Sequence, residues 1–198
     1  MPAALAFALL AGCASEAPKE VAKKAEPPVP VTGQKAAFEM YKVARAWAPD
    51  VAVLRLESAD LSEVKAEPGK HGVWMATFVS LTQKMKRDYS YSVVEANGLR
   101  KGAYPGVESS YMPNPQIRPL NISAIRVDTP DVLTEAMKQK EIAEFAGKHP
   151  ELPVNYLLEW SISRPHPDWR AYWGPTVATS QASVYVDADT GAFVKKSH

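Results

Sequence analysis

Hydrophobic positions along the chain switch from a helical spacing to a two-residue spacing, and they do so twice in the same order. Ala37, Met40, Tyr41, Ala44, Trp47 and Ala48 share one helical face, with Lys35, Glu39 and Lys42 opposite. Pro49 ends this helix. Strand-like segments follow at Val51 to Glu57, Trp74 to Phe78 and Tyr89 to Gly98, with a polar loop from Ser62 to Gly72 between the first two. The second series opens at Asp128-Thr-Pro130, where Thr129 reads as the N-cap and Pro130 as the first helical residue. Val132, Leu133, Ala136, Ala143 and Ala146 form its apolar stripe, and Gly147 its end. Strands are predicted again at Val154 to Trp160, Trp169 to Gly174 and Ala182 to Val194. In the last of these Val184, Val186 and Ala188 alternate with Ser183, Tyr185 and Asp187. Asp187-Ala-Asp-Thr-Gly191 then supplies a tight turn, with Gly191 free to take positive φ.

The two series correspond in detail. Val29-Pro-Val31 before the first helix matches Ile125-Arg-Val127 before the second. Trp74, Ala76 and Phe78 match Trp169, Ala171 and Trp173, and Glu95-Ala-Asn-Gly98 matches Asp187 to Gly191. The expected fold class is α+β: two repeated units, each of one helix packed on a roughly three-stranded antiparallel sheet. The units span residues 33–102 and 122–198, joined by a crossover over 103–121 that carries Pro105, Pro113, Pro115 and Pro119.

From Thr129 to Lys196, and most clearly over Trp169 to Gly174 and Ser183 to Val194, the sequence resembles the PepSY domain of secreted peptidase propeptides and bacterial envelope proteins. The first half matches only in outline. The resemblance implies a noncatalytic module that binds or restrains protein partners, with no catalytic residues. No protease domain follows in this sequence, so it implies a partner in trans.

Residues 3–11 form an apolar run too short to span a bilayer as a helix but suited to the core of a secretory signal. The run ends in Leu10-Ala-Gly-Cys13, which resembles a bacterial lipobox, although no Lys or Arg precedes it. By that resemblance residues 1–12 are a signal peptide, and Cys13, the sole cysteine, becomes a lipidated N-terminus that anchors the chain in a membrane. Ala14 in place of Asp implies sorting to the outer membrane, facing the periplasm. Residues 13–32, rich in Ala, Glu, Lys and Pro, read as an extended tether. The 23 Lys and Arg nearly cancel the 22 Asp and Glu, so no strong field draws nucleic acid. One cysteine excludes an internal disulfide framework or a thiolate metal cage within one chain.

Catalytic and metal signatures are weak, and no catalytic residue, metal or cofactor is expected. Asp189-Thr-Gly191 looks like an aspartic-protease triplet, but Asp187 stands where that motif wants an apolar residue and only seven residues follow. A calcium loop at Asp187-Ala-Asp189 lacks its later acidic ligands. His71, His149, His166 and His198 form no i, i+4 pair and read as surface or capping residues. Ser161 and Ser163 lack a nucleophile elbow. The tryptophans read as core. Tyr89, Tyr91 and Tyr185, with Tyr156 and Tyr172, are candidates for exposed rings on open sheet faces, and Tyr104 and Tyr111 flank a further contact loop. The leading expectation is an envelope protein partner bound at Tyr89, Tyr91, Tyr104, Tyr111 and Tyr185. The alternatives are a small-molecule or glycan receptor, and an enzyme with a site between the two units.

Overall fold

The computed structural model describes residues 27–197; Cys13, the expected signal peptide and the expected tether up to residue 26 lie outside them. In chain order the elements are β1 (Val31–Thr32), α1 (Gly33–Trp47), β2 (Ala52–Ala59), β3 (Lys70–His71), β4 (Val73–Ser80), β5 (Met85–Ser92) and β6 (Gly102–Ser110). After a 3-10 turn at Ile122–Ala124 come α2 (Thr129–Met137), α3 (Lys140–Lys148), β7 (Val154–Glu159), β8 (Asp168–Trp173), β9 (Ala182–Asp187) and β10 (Phe193–Ser197). Eight strands make one antiparallel sheet in the order β10-β9-β8-β7-β2-β4-β5-β6. Each half is thus helix followed by a four-strand meander, and the first meander strands, β2 and β7, pair at the centre through Leu56 with Leu158 and Glu57 with Leu157. The α+β class and the helix-on-sheet packing are as the sequence predicts, with one more strand per half. Among the described residues no helix is long and apolar enough to cross a membrane.

The helices share one face of the sheet, α1 over β2, β4, β5 and β6, and α2 with α3 over β8 and β9. Thr32 caps α1, and its buried face is Gly33, Ala36, Ala37, Met40 and Ala44, small enough to bring the backbone close to the sheet. A Cβ on Gly33 would lie 2.8 Å from Trp169 and 3.0 Å from Trp74. Those two indoles are the centre of the core: their rings meet edge to face, 6.4 Å apart. Each also ties the chain just before a helix. The Trp74 Nε1–H donates to Val31 O at 3.0 Å and the Trp169 Nε1–H to Val127 O at 2.9 Å.

Several local expectations change. Asp128, not Thr129, caps α2, because the buried Thr129 hydroxyl is drawn elsewhere, donating to Gly69 O and accepting from Gly33 N. The second-half helix is broken at Gln139, whose backbone is extended, and Gly147 lies within the last turn of α3. The Pro-rich crossover is shorter than its composition suggests. Its first residues form β6, the sheet edge, where Pro105 pairs with Tyr89 and a bulge sets Gly106 and Val107 opposite Asp88. His71 is a core residue rather than a surface one: it is 1% exposed, and its Nε2 lies 2.9 Å from Val154 O.

Candidate functional site

The sheet face opposite the helices is left open, and strand alternation decides what it displays. Residues paired across strands share a face, so the register that buries Leu56, Trp74, Leu158, Trp169 and Val186 turns Arg55, Glu57, Leu157, Glu159, Arg170 and Tyr185 outward. A register shift between Val53 and Arg55 in β2 sets the central arginine on this face. Hollows of about 380, 510 and 220 Å³ adjoin along it, and Arg55 lines all three.

Two loops border the hollow of about 380 Å³. On one side the crossover runs beside the β7–β8 loop: Arg118 N donates to Trp160 O at 3.0 Å and Ile162 N to Gln116 O at 2.9 Å. The Arg118 guanidinium stacks 4.0 Å from the Trp160 ring centre, which fixes that border. On the other side is the β8–β9 loop, where Val177 lines the hollow and Ser180 Oγ accepts from Arg170 Nη2 at 3.2 Å.

Charge on this face is arranged in layers. Arg55 bridges two halves of the chain, with Glu57 Oε2 at 2.7 Å and Glu159 Oε1 at 3.1 Å. Burial pushes the Glu159 carboxyl above the usual range, and Arg55 partly offsets this. Asp168 is likewise raised by burial, against the opposing pull of Arg164 at 3.1 Å. Arg170 and Lys195 both lie against Tyr185, at 5.4 and 4.7 Å from its ring centre.

The structure separates the five tyrosines predicted as partner-binding. Tyr89 and Tyr111 are corrected: they are 1% and 7% exposed and present no ring surface. Tyr89 pairs with Ala76, between the Trp74 and Phe78 positions, so alternation carries it to the helix side, where its ring meets Phe78 at 5.4 Å. Tyr111 is drawn in as its N–H donates to Lys84 O at 2.8 Å, at the β4–β5 turn. Tyr156 and Tyr172, also read as open, are buried. Tyr91 is half-buried on the α1 side, near Glu39 and Lys42. Tyr104, 38% exposed, and Tyr185, which lines the hollow, do stand on the open face. Five strands lie between theirs, roughly 30 Å at ordinary strand spacing, so they do not form one site.

Sequence reasoning missed Arg55, Glu159, Arg170 and Lys195. The signal was present in the charges that alternate with core residues in Leu54-Arg-Leu-Glu57 and Asp168-Trp-Arg-Ala-Tyr172. The Asp187 to Gly191 segment is a turn: Asp187 Oδ1 accepts from Asp189 N and Thr190 N, both at 2.9 Å, and Gly191 has φ of 76°. Asp189 is held by Arg126 at 3.0 Å. Among the described residues no group of three or more His, Cys, Asp or Glu side chains is placed to hold a metal ion.

No family model matches the chain, and no curated protein matches it. One solved structure, described as a candidate lipoprotein from Clostridium difficile 630, aligns at a TM-score of 0.49 and 9% identity, covering 88% of this chain and 95% of that one. Neither family nor activity follows from a likeness at that level.

Proposed function

We propose that this protein is a noncatalytic, lipid-anchored module of the bacterial envelope, built from two PepSY-like units that arose by duplication, and that it binds another envelope protein through the open face of its sheet. The observation that carries this reading is the face itself. An eight-stranded sheet covered by helices on one side leaves its other side to charged and aromatic side chains around Arg55. Support for the anchor is the Leu10 to Cys13 lipobox and the tether behind it. Support for two related units is the shared topology and the matching indole bonds of Trp74 and Trp169. Asp187 and Asp189, the acids of the protease-like triplet, are engaged in a turn and in an ion pair with Arg126. The volume of the hollow beside Tyr185, about 380 Å³, also favours a second reading as a small-molecule receptor.

The test is site-specific photo-crosslinking in intact cells, with the reactive group at Thr77 or Tyr185 on the open face and at Lys148 on α3 as control. One reproducible envelope protein captured from the open positions and not from Lys148 is expected. Equal capture from all three positions, or none, overturns the reading. Cys13→Ser should leave the protein soluble and unlipidated; a mutant that still sediments with membranes at wild-type mass would sink the anchor.

A further inference from the structure

Resting on the open-face reading, we propose that the Arg170 and Lys195 end of this face is a carboxylate site, and that its occupant is an acidic segment of polypeptide lying extended across the sheet. Two cations share the Tyr185 ring, and among the described residues neither has a carboxylate within ion-pair distance. The nearby acids are taken: Glu159 serves Arg55 and Asp168 serves Arg164. With Arg55 matched by Glu57 and Glu159, and Arg164 by Asp168, the cations of the hollow left without an ion pair are Arg170 and Lys195, in a chain whose net charge is only +1. A local positive excess of this kind favours an anionic ligand.

Arg170 adds a directional argument. Its Nη2 is held by Ser180, but its Nε is shielded from solvent and has no hydrogen-bond partner. That donor has no open surface for a ligand to reach, so a carboxylate is received by the outer guanidinium N–H groups, which the Ser180 bond holds in place. Leu157, Ile117 and Val177 line the same hollow and suit an aliphatic neighbour. What selects a polypeptide over a small acid is extent. The three hollows continue from β10 through the central Arg55 to Asp88 on β5, farther than a small acid reaches. Those beyond the first are lined by Glu57, Asp60 and Asp88, so the acidic residues of the segment lie at its Arg170 and Lys195 end.

The experiment uses the purified full chain and fluorescence anisotropy with a labelled blocked peptide, Ala-Glu-Leu-Glu-Ala-Glu-Leu, its Gln-for-Glu counterpart, and glutarate as competitor. Saturable binding of the Glu peptide is expected, weaker by about tenfold or more for the Gln peptide, since each lost charge-assisted bond is worth about that factor. Arg170→Met should cost about tenfold by the same reasoning. Lys195→Met, on the exposed edge strand, should weaken binding with the near-UV spectrum unchanged, and Lys148→Met should not. Equal binding of the two peptides, undiminished binding by folded Arg170→Met, glutarate binding as tight as the peptide, or no saturable binding each overturns the proposal. Because this measurement needs no natural partner, it can fail while crosslinking from the open face succeeds.

Discussion

His71 shows how a single buried ring joins the two halves and couples them to pH. Its Nε2–H donates to Val154 O, so Nδ1 holds the lone pair, facing Asp60 Oδ1 at 3.6 Å. Burial lowers the affinity of this ring for a proton, with Val154 O and Asp60 opposing, so the His71–Asp60 contact is not an ion pair at neutral pH. The unfolded chain takes up that proton near pH 6.5, and the folded chain only at lower pH. Stability from this residue is therefore complete above the unfolded value and declines as pH falls below it. Urea midpoints should fall between pH 7 and pH 5.5, and His71→Gln should flatten that slope. A wild-type midpoint that does not move would count against a neutral buried His71. Glu159 and Asp168 act with the opposite sign, because their raised values favour the folded state on acidification, but in the more acidic carboxylate range.

At the scale of elements, the paired tryptophans carry the clearest prediction. Trp74→Phe and Trp169→Phe each keep an aromatic ring but remove the donor to a carbonyl, the buried Val31 O at a cost of about 1–3 kcal/mol and the part-buried Val127 O at the lower end of that range. Since the rings touch, the double variant should depart from additivity, which denaturant titration of the four proteins would detect. Strict additivity would mean that the two sites are independent. Element order, the alternation of β9 and the Trp74/Trp169 correspondence were legible in the sequence because each rests on local periodicity. Three features were not. β6 is held in the sheet by pairing with β5 despite Pro105; the break at Gln139 carries no Pro or Gly signal; and the capping role passes to Asp128 because Gly33 and Gly69, far away in sequence, claim Thr129.

For the whole molecule, the joint matters more than either half. The β2–β7 pairing is extended by Ser58, whose Oγ donates to Asn155 Oδ1 and accepts from Tyr156 N, both at 2.9 Å. Gly33 N donates to Thr129 Oγ1 and Gln34 N to Asp128 Oδ1, tying the starts of α1 and α2 together. A single core includes Trp74, Leu56, Leu158 and Trp169. The full chain should unfold in one transition with coincident fluorescence and circular-dichroism curves, and fragments 27–121 and 122–197 should not fold separately. Two resolved transitions would show that the halves are autonomous. The open face was the least legible part for the same reason: Arg55 meets Glu159 across 104 residues, and no local pattern announces a partner at that distance.

The bond from the Trp74 indole to Val31 O has a mechanical side. Tension applied to the chain upstream of Val31 reaches that bond and the two-residue β1–β3 ladder before any strand of the main sheet. Trp74 sits at the centre of the core, so a pull on the chain before Val31 is passed straight to the core that both halves share.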